Sequence, residues 1–335
     1  MKNQEKIGLS IGSATGENVR NIGSFGINSC HAALWLREDL PRHFRRLREE
    51  LGMRYVRCHG IFNDQLEAVA PDGSFHFEKP LTVLERILDN GQIPFLELSG
   101  MPGALARTEE SVCHYRFRSA PPRDWRRWEE LVEQFLHVLI ERFGREELCR
   151  WYFEVWNEPD LLAGHNPAFS AGFYAKLTRR TAAAVRAANP AAKIHTLSHA
   201  NVREWLEAAG DAGVAASTDV VTLHTYAPAE YFVRRELARQ KLLDCGGFFG
   251  KPQYFNEIGA AGYDGCPEYS GAFPGTSEKR QAEQLVINYA QAMHFAGAEG
   301  KVFYFCSLDP RDSRDPSGRT WDSSIGLLYL GLQPK

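Results

Sequence analysis

The chain has 335 residues, 44% hydrophobic and 24% charged, enough for a large core, and its formal net charge of -3 gives no electrostatic reason to expect nucleic acid or an anionic membrane surface as a partner. Residues 1–12 lack the continuous apolar run of a signal peptide and no later run reaches membrane-spanning length, so the sequence reads as cytoplasmic. Its 7 cysteines include no Cys-x-x-Cys pair, which argues for buried thiols rather than a zinc site, and nothing in the sequence calls for a metal or other cofactor.

In chain order, a strand at 24–30 precedes a helix at 40–51, and a strand at 54–59 precedes a helix at 81–90. The pattern repeats with strand 93–98 and helix 124–143, strand 152–156 and helix 168–188, and strand 192–197 and helix 202–211. It continues with strand 219–224 and helix 229–243, then strand 253–257 and helix 277–296, and closes on a strand at 302–306. Strands alternating with helices imply a parallel sheet with right-handed crossovers. Eight of them in this length predict an α/β fold, a closed (β/α)8 TIM barrel in one domain over residues 1–335. An open doubly wound sheet would place a glycine-rich phosphate turn after its first strand, whereas Gly23 and Gly26 lie at or before that strand.

In such a barrel, functional groups gather at the C-terminal ends of the strands. Here those ends carry Arg57 and His59, Asn157 and Glu158, His224 and Tyr226, and Asn256 and Glu257. Each has a bland explanation, as a buried partner of a structural carboxylate, a core histidine or a helix cap. Four sets at equivalent ends make coincidence a poor account. Glu158 and Glu257 are separated by three βα units of roughly 30 residues each, which sets them across the barrel mouth from one another. Two carboxyl groups flanking a cleft are what glycoside hydrolysis requires: one protonates the leaving oxygen, the other attacks carbon or activates water.

The segment WYFEVWNEPD at 151–160, with Arg57-x-His59, FLELSGMPGALA at 95–106, VVTLHTY at 220–226 and FNEIG at 255–259, resembles glycoside hydrolase family 39, which contains β-xylosidases and α-L-iduronidases. The resemblance runs from about residue 26 to 328. It implies that Glu158 is the general acid/base and Glu257 the nucleophile of a retaining double displacement, on a small oligosaccharide or glycoside. Glu158 must then hold a proton near neutral pH, which an apolar shell and a second carboxylate favour; Glu257 must stay ionised, with Tyr226 and Arg57 as its expected donors. His59, Asn157 and His224 are expected at sugar hydroxyls. Glu154, deeper in its strand, and Glu97 are expected to be structural, the latter as partner of an arginine.

Departures from the family pattern shape the remaining expectations. Where xylosidases of the family usually place a tryptophan at the end of the last strand, this chain has Phe305, a candidate sugar-facing ring, followed by Asp309 at a family-like position. Arg311, Arg314 and Arg319 add positive charge, and one of them could read a sugar carboxylate. The ending at 326–335 resembles the start of the family's eighth helix, so the expectation is a barrel short of that helix and of the β-sandwich domain that follows it, with self-association through the uncovered face. The leading reading is an exo-acting β-xylosidase-like enzyme. The alternatives are a uronide- or arabinoside-specific glycosidase of the same family and a catalytically silent carbohydrate-binding barrel.

Overall fold

A computed structural model describes residues 25–112, 115–227, 229–259, 278–297, 299–307, 313–314 and 320–321. Eight strands run β1 (Gly26–His31), β2 (Tyr55–His59), β3 (Ile93–Leu98), β4 (Tyr152–Val155), β5 (Ile194–Thr196), β6 (Val220–Thr225), β7 (Gln253–Ile258) and β8 (Lys301–Tyr304). Every neighbour is parallel, and β8 pairs with β1 to close the barrel. The expected (β/α)8 fold is therefore present. Its helices are α1 (Leu40–Leu51), α2 (Glu78–Asp89), α3 (Trp125–Phe143), α4 (Ala171–Ala188), α5 (Arg203–Asp211), α6 (Ala229–Cys245) and α7 (Glu278–Ala296). The expected eighth-helix start at 326–335 lies outside the described residues. Among the described residues no helix is long and apolar enough to cross a membrane.

Helix positions follow from simple pattern. In α3 the buried residues are Trp128, Leu131, Val132, Phe135, Leu136 and Leu139, one stripe at spacings of three and four. Each such side chain, fully buried, contributes about 1.5–3 kcal/mol. Asp124 caps the helix by accepting from the Arg126 N–H at 2.9 Å, and the Trp128 indole donates to Thr181 of α4 at 2.9 Å. Strand ends depart from expectation where the backbone turns left-handed. Strand β4 stops before Trp156 (φ 70) and β5 before Leu197 (φ 85). The chain also forms a short helix, Pro159–His165, too brief for periodicity to reveal. Cys30, Cys58 and Cys306 are buried, as small apolar residues should be, while Cys149 and Cys245 are exposed at helix ends.

The lower barrel is filled by aromatic rings around a histidine. His195 is fully buried, its ring 4.9 Å from Tyr152, 5.0 Å from Phe95 and 5.2 Å from Tyr254, and neither ring nitrogen has a hydrogen-bond partner. Burial pushes its pKa down to about 3, from an ordinary 6.5. Between those values the unfolded chain binds a proton that the folded one refuses, so stability falls as pH falls through this window. The loss from this group between pH 7 and pH 5 is about 2 kcal/mol. His195→Phe should flatten the acid arm by that amount in urea melts at the two pH values; equal slopes in both proteins would refute the assignment.

Candidate active site

Alternation along the strands brings Asn28 of β1, Arg57 of β2, Glu97 of β3, Glu154 of β4 and Asn256 of β7 into one buried layer beneath the mouth. Arg57 is its hub. A guanidinium presents five N–H groups in a rigid fork, and here it meets five acceptors. Nε donates to Glu154 at 2.7 Å, Nη1 to Glu257 at 2.7 Å and Asn28 at 3.1 Å, and Nη2 to Asn157 at 2.9 Å, while Nη2 also forms an ion pair with Glu97 at 2.7 Å. Burial alone would lower the Arg57 pKa, but the charges of Glu154, Glu97 and Glu257 outweigh it and raise it. Burial raises the Glu154 carboxyl, with Arg57 opposing. For Glu97 the nearby His59 and Arg57 outweigh the burial and lower it.

Glu257 reaches this layer through a bulge. On one side Leu223 pairs with Phe255 and the next residue, His224, with Glu257; on the other, Val302 pairs with Phe255 and Tyr304 with Ile258. The extra residue breaks the period of two, so the consecutive Asn256 and Glu257 both serve the interior. Asn256 Nδ2 donates to Glu154 at 2.7 Å, while Glu257 Oε1 takes Arg57 and Oε2 takes the Tyr226 hydroxyl at 2.7 Å. Gly259 makes room for that tyrosine, since an added Cβ would lie 2.7 Å from its ring. Burial and the neighbouring Glu257 push the Tyr226 pKa well up, keeping the phenol a donor. His59 bridges two carboxylates, Nδ1 at 2.9 Å from Glu97 and Nε2 at 3.3 Å from Glu257.

Glu158 stands opposite, where β4 gives way to the Pro159–His165 helix. It caps that helix with φ 44, two residues after Trp156 at φ 70. Left-handed backbone at non-glycine residues costs about 1–3 kcal/mol each and concentrates at functional sites. Pro159 at the first helical position turns the chain sharply, and the carboxyl, 20% exposed, faces the mouth. Its Oε1 lies 2.9 Å from His224 Nδ1, which is also 3.4 Å from Glu257 Oε2. Burial, then Glu257 and Asp160, raise the Glu158 pKa well above the ordinary carboxyl value, against Arg57. Burial, then Arg57 and nearby histidines, hold His224 well below the ordinary imidazole value. Both directions favour the proton of this contact on the carboxyl. One carboxyl oxygen each from Glu158 and Glu257, with a ring nitrogen of His224, fall within 4.8 Å of one another. That donor set suits a divalent transition ion in principle; it equally suits proton transfer across a small cleft.

The structure thus brings together Arg57, His59, Asn157, Glu158, His224, Tyr226 and Glu257. Phe305 joins them, its ring 5.9 Å from His59 and 6.1 Å from Tyr226. Asp309, Arg311 and Arg319 lie outside the described residues, and of Arg314 only the backbone is described, in a two-residue strand paired with Thr320–Trp321. Sequence reasoning missed the groups beneath the site. Ser198 and Thr222 donate to Glu154 Oε1 at 2.9 and 2.7 Å, and Asn28 accepts from Arg57 while donating to the Asn256 carbonyl at 2.8 Å. The polar Asn28 inside an apolar strand was the one signal available; the serine and threonine gave none. Asp160, directly after Glu158 and Pro159, was also passed over.

Comparison with known proteins follows the same lines. The sequence profile described as Glycosyl hydrolases family 39 matches residues 12–241. A β-xylosidase of Caldicellulosiruptor saccharolyticus is 38% identical over 160 residues, 47% of this chain and 33% of that protein. One from Geobacillus stearothermophilus is 32% identical over 181 residues, 52% of this chain and 36% of that protein. The matched stretches therefore span about a third of the length of these relatives. The solved structure of a family 39 β-xylosidase from Caulobacter crescentus superposes with a TM-score of 0.73 at 26% identity, covering 92% of this chain and 68% of that one. By profile, sequence and architecture, the chain belongs to glycosyl hydrolases family 39.

Proposed function

We propose that the protein is a retaining glycoside hydrolase that releases xylose from the ends of β-xylosides. The observation that carries this reading is the closeness of the two carboxyl groups. Retaining enzymes hold them about 5–5.5 Å apart, inverting enzymes about 6.5–9.5 Å, and here oxygens of Glu158 and Glu257 come within 4.8 Å. In this reading Glu158 gives its proton to the glycosidic oxygen as Glu257 attacks the anomeric carbon. A glycosyl–enzyme ester forms and the alcohol leaves. Glu158 then takes a proton from water as it displaces Glu257. The raised Glu158 pKa supports the acid role, and donation from Arg57 and Tyr226 aims both oxygens of Glu257. Asn157, His59, His224 and Phe305 border the same cleft and are the candidates for sugar contact. The choice of xylose rests on the two β-xylosidase relatives.

The test is hydrolysis of 4-nitrophenyl β-D-xylopyranoside followed by proton NMR. Nitrophenol release with β-xylose as the first-formed anomer supports the proposal, and α-xylose first would overturn the retaining mechanism. Turnover confined to uronides or arabinosides would replace the sugar and keep the chemistry. A folded protein that binds xylose and cleaves none of these would favour the silent carbohydrate-binding barrel.

A further inference from the structure

Asp160 is 2% exposed and takes no part in the steps above. Its Oδ2 accepts the backbone N–H of Asn201 at 2.7 Å and of Val202 at 3.1 Å, and His199 Nδ1 lies 2.9 Å from both of its oxygens. These partners belong to the turn after β5, in which Leu197, Ser198 and Ala200 have φ 85, 57 and 54. Such a run of left-handed non-glycine residues persists only where surrounding bonds over-determine it. Asp160 supplies three of those bonds. Ser198 supplies another, its hydroxyl reaching the Trp156 carbonyl at 3.0 Å.

The same turn leads to His224. Asn201 Nδ2 donates to the His224 carbonyl at 3.4 Å, and Arg239 of α6 donates to that carbonyl at 3.0 Å and to Asn201 Oδ1. Arg239 is in turn paired with Glu236 at 3.0 Å. The His199 and His224 rings meet edge to face at 6.3 Å. Asp160 therefore fastens the start of the helix that carries Glu158 to the strand end that carries His224, the two sides of the Glu158···His224 contact.

We propose that Asp160 is a positioning residue for Glu158: it fixes the acid/base against His224 and sets a permanent negative charge beside it. The proposal rests on Glu158 being the proton donor. The charged and titratable groups facing Glu158 are Glu257 of β7, Arg57 of β2, Glu97 of β3, His224 of β6, Tyr226 just after that strand, and Asp160 itself. Of these, Glu257, Asp160 and Glu97 favour the protonated form alongside burial, and Arg57 opposes it. Asp160 remains charged because His199 and the Asn201 and Val202 N–H groups outweigh the effect of its burial.

The experiment is the pH profile of kcat/KM, whose alkaline limb reports the acid of the free enzyme. Removing the charge in Asp160→Asn should move that limb about half to one pH unit lower. His199→Gln, which leaves the Asp160 charge in place, should not move it down. Asp160→Ser, which keeps an oxygen for the turn, is read in the same way should the asparagine variant not fold. An unmoved limb in a folded Asp160 variant, or an equal downward shift in His199→Gln, overturns the proposal. Loss of the fold in both Asp160 variants also overturns it, making the residue a purely structural tie. Should no glycoside be cleaved, carbon-13 NMR of side-chain-labelled glutamate reads the Glu158 pKa directly in wild type and variant. Failure of the glycosidase reading and failure of this one are then separate results.

Discussion

Glu257→Gln is expected to lower kcat on 4-nitrophenyl β-xyloside by on the order of 10⁴-fold or more while leaving the melting temperature close to that of the wild type. The amide keeps the volume of the side chain and an oxygen that can accept from Arg57 or Tyr226, so the buried layer retains most of its bonds. What is lost is the atom that attacks carbon, and no neighbour replaces it, because Glu97 and Glu154 are fully buried below and engaged by Arg57. Glu158→Gln should behave differently on the same substrate. Nitrophenolate leaves without a proton, so the first step loses little, whereas a disaccharide with an alkoxide leaving group should lose about 10²–10⁴-fold. Steady-state kinetics on the aryl glycoside and on xylobiose separate the two. Residual activity within tenfold of wild type for Glu257→Gln, in a folded protein, would end the nucleophile assignment.

What the sequence disclosed about this site follows the physics of each signal. The eight strands were visible because both faces of a barrel strand are buried, leaving short, dense apolar runs; β3 at Ile93–Leu98 and α1 at Leu40–Leu51 match expectation to the residue. The family motif marked Glu158 and Glu257 because their neighbours in sequence are also their frame. Other features have no local signature. The bulge that turns both Asn256 and Glu257 inward is a register shift against two other strands, and the left-handed Trp156, Glu158 and Leu197 are held by bonds from elsewhere. The four hydrogen bonds and one ion pair that surround the Arg57 guanidinium likewise join residues from separate strands and strand ends, a pattern that closure of the barrel creates.

Arg57→Met is the substitution expected to cost most in stability, about 3–5 kcal/mol. A methionine fills much of the same space but leaves Glu97, Glu154 and Glu257, whose side chains are 0%, 0% and 5% exposed, without the cation they share. The fully buried Glu97 and Glu154 must then take up protons to remain buried, so their pKa values in the folded variant rise above the unfolded values. A group raised in the folded state contributes stability below its unfolded pKa and loses it as pH climbs through the folded pKa. The deficit of Arg57→Met against wild type should therefore be larger at pH 8 than at pH 5, whereas an ordinary cavity effect is insensitive to pH. Arg57→Lys should recover only part of the loss: its ammonium restores the charge, but three donors on a flexible stem cannot serve the five acceptors that the rigid fork now reaches. Urea melts of the three proteins at both pH values decide the matter. A deficit that is the same at pH 5 and pH 8 would mean that Arg57 acts by packing alone and that the three carboxylates do not depend on its charge.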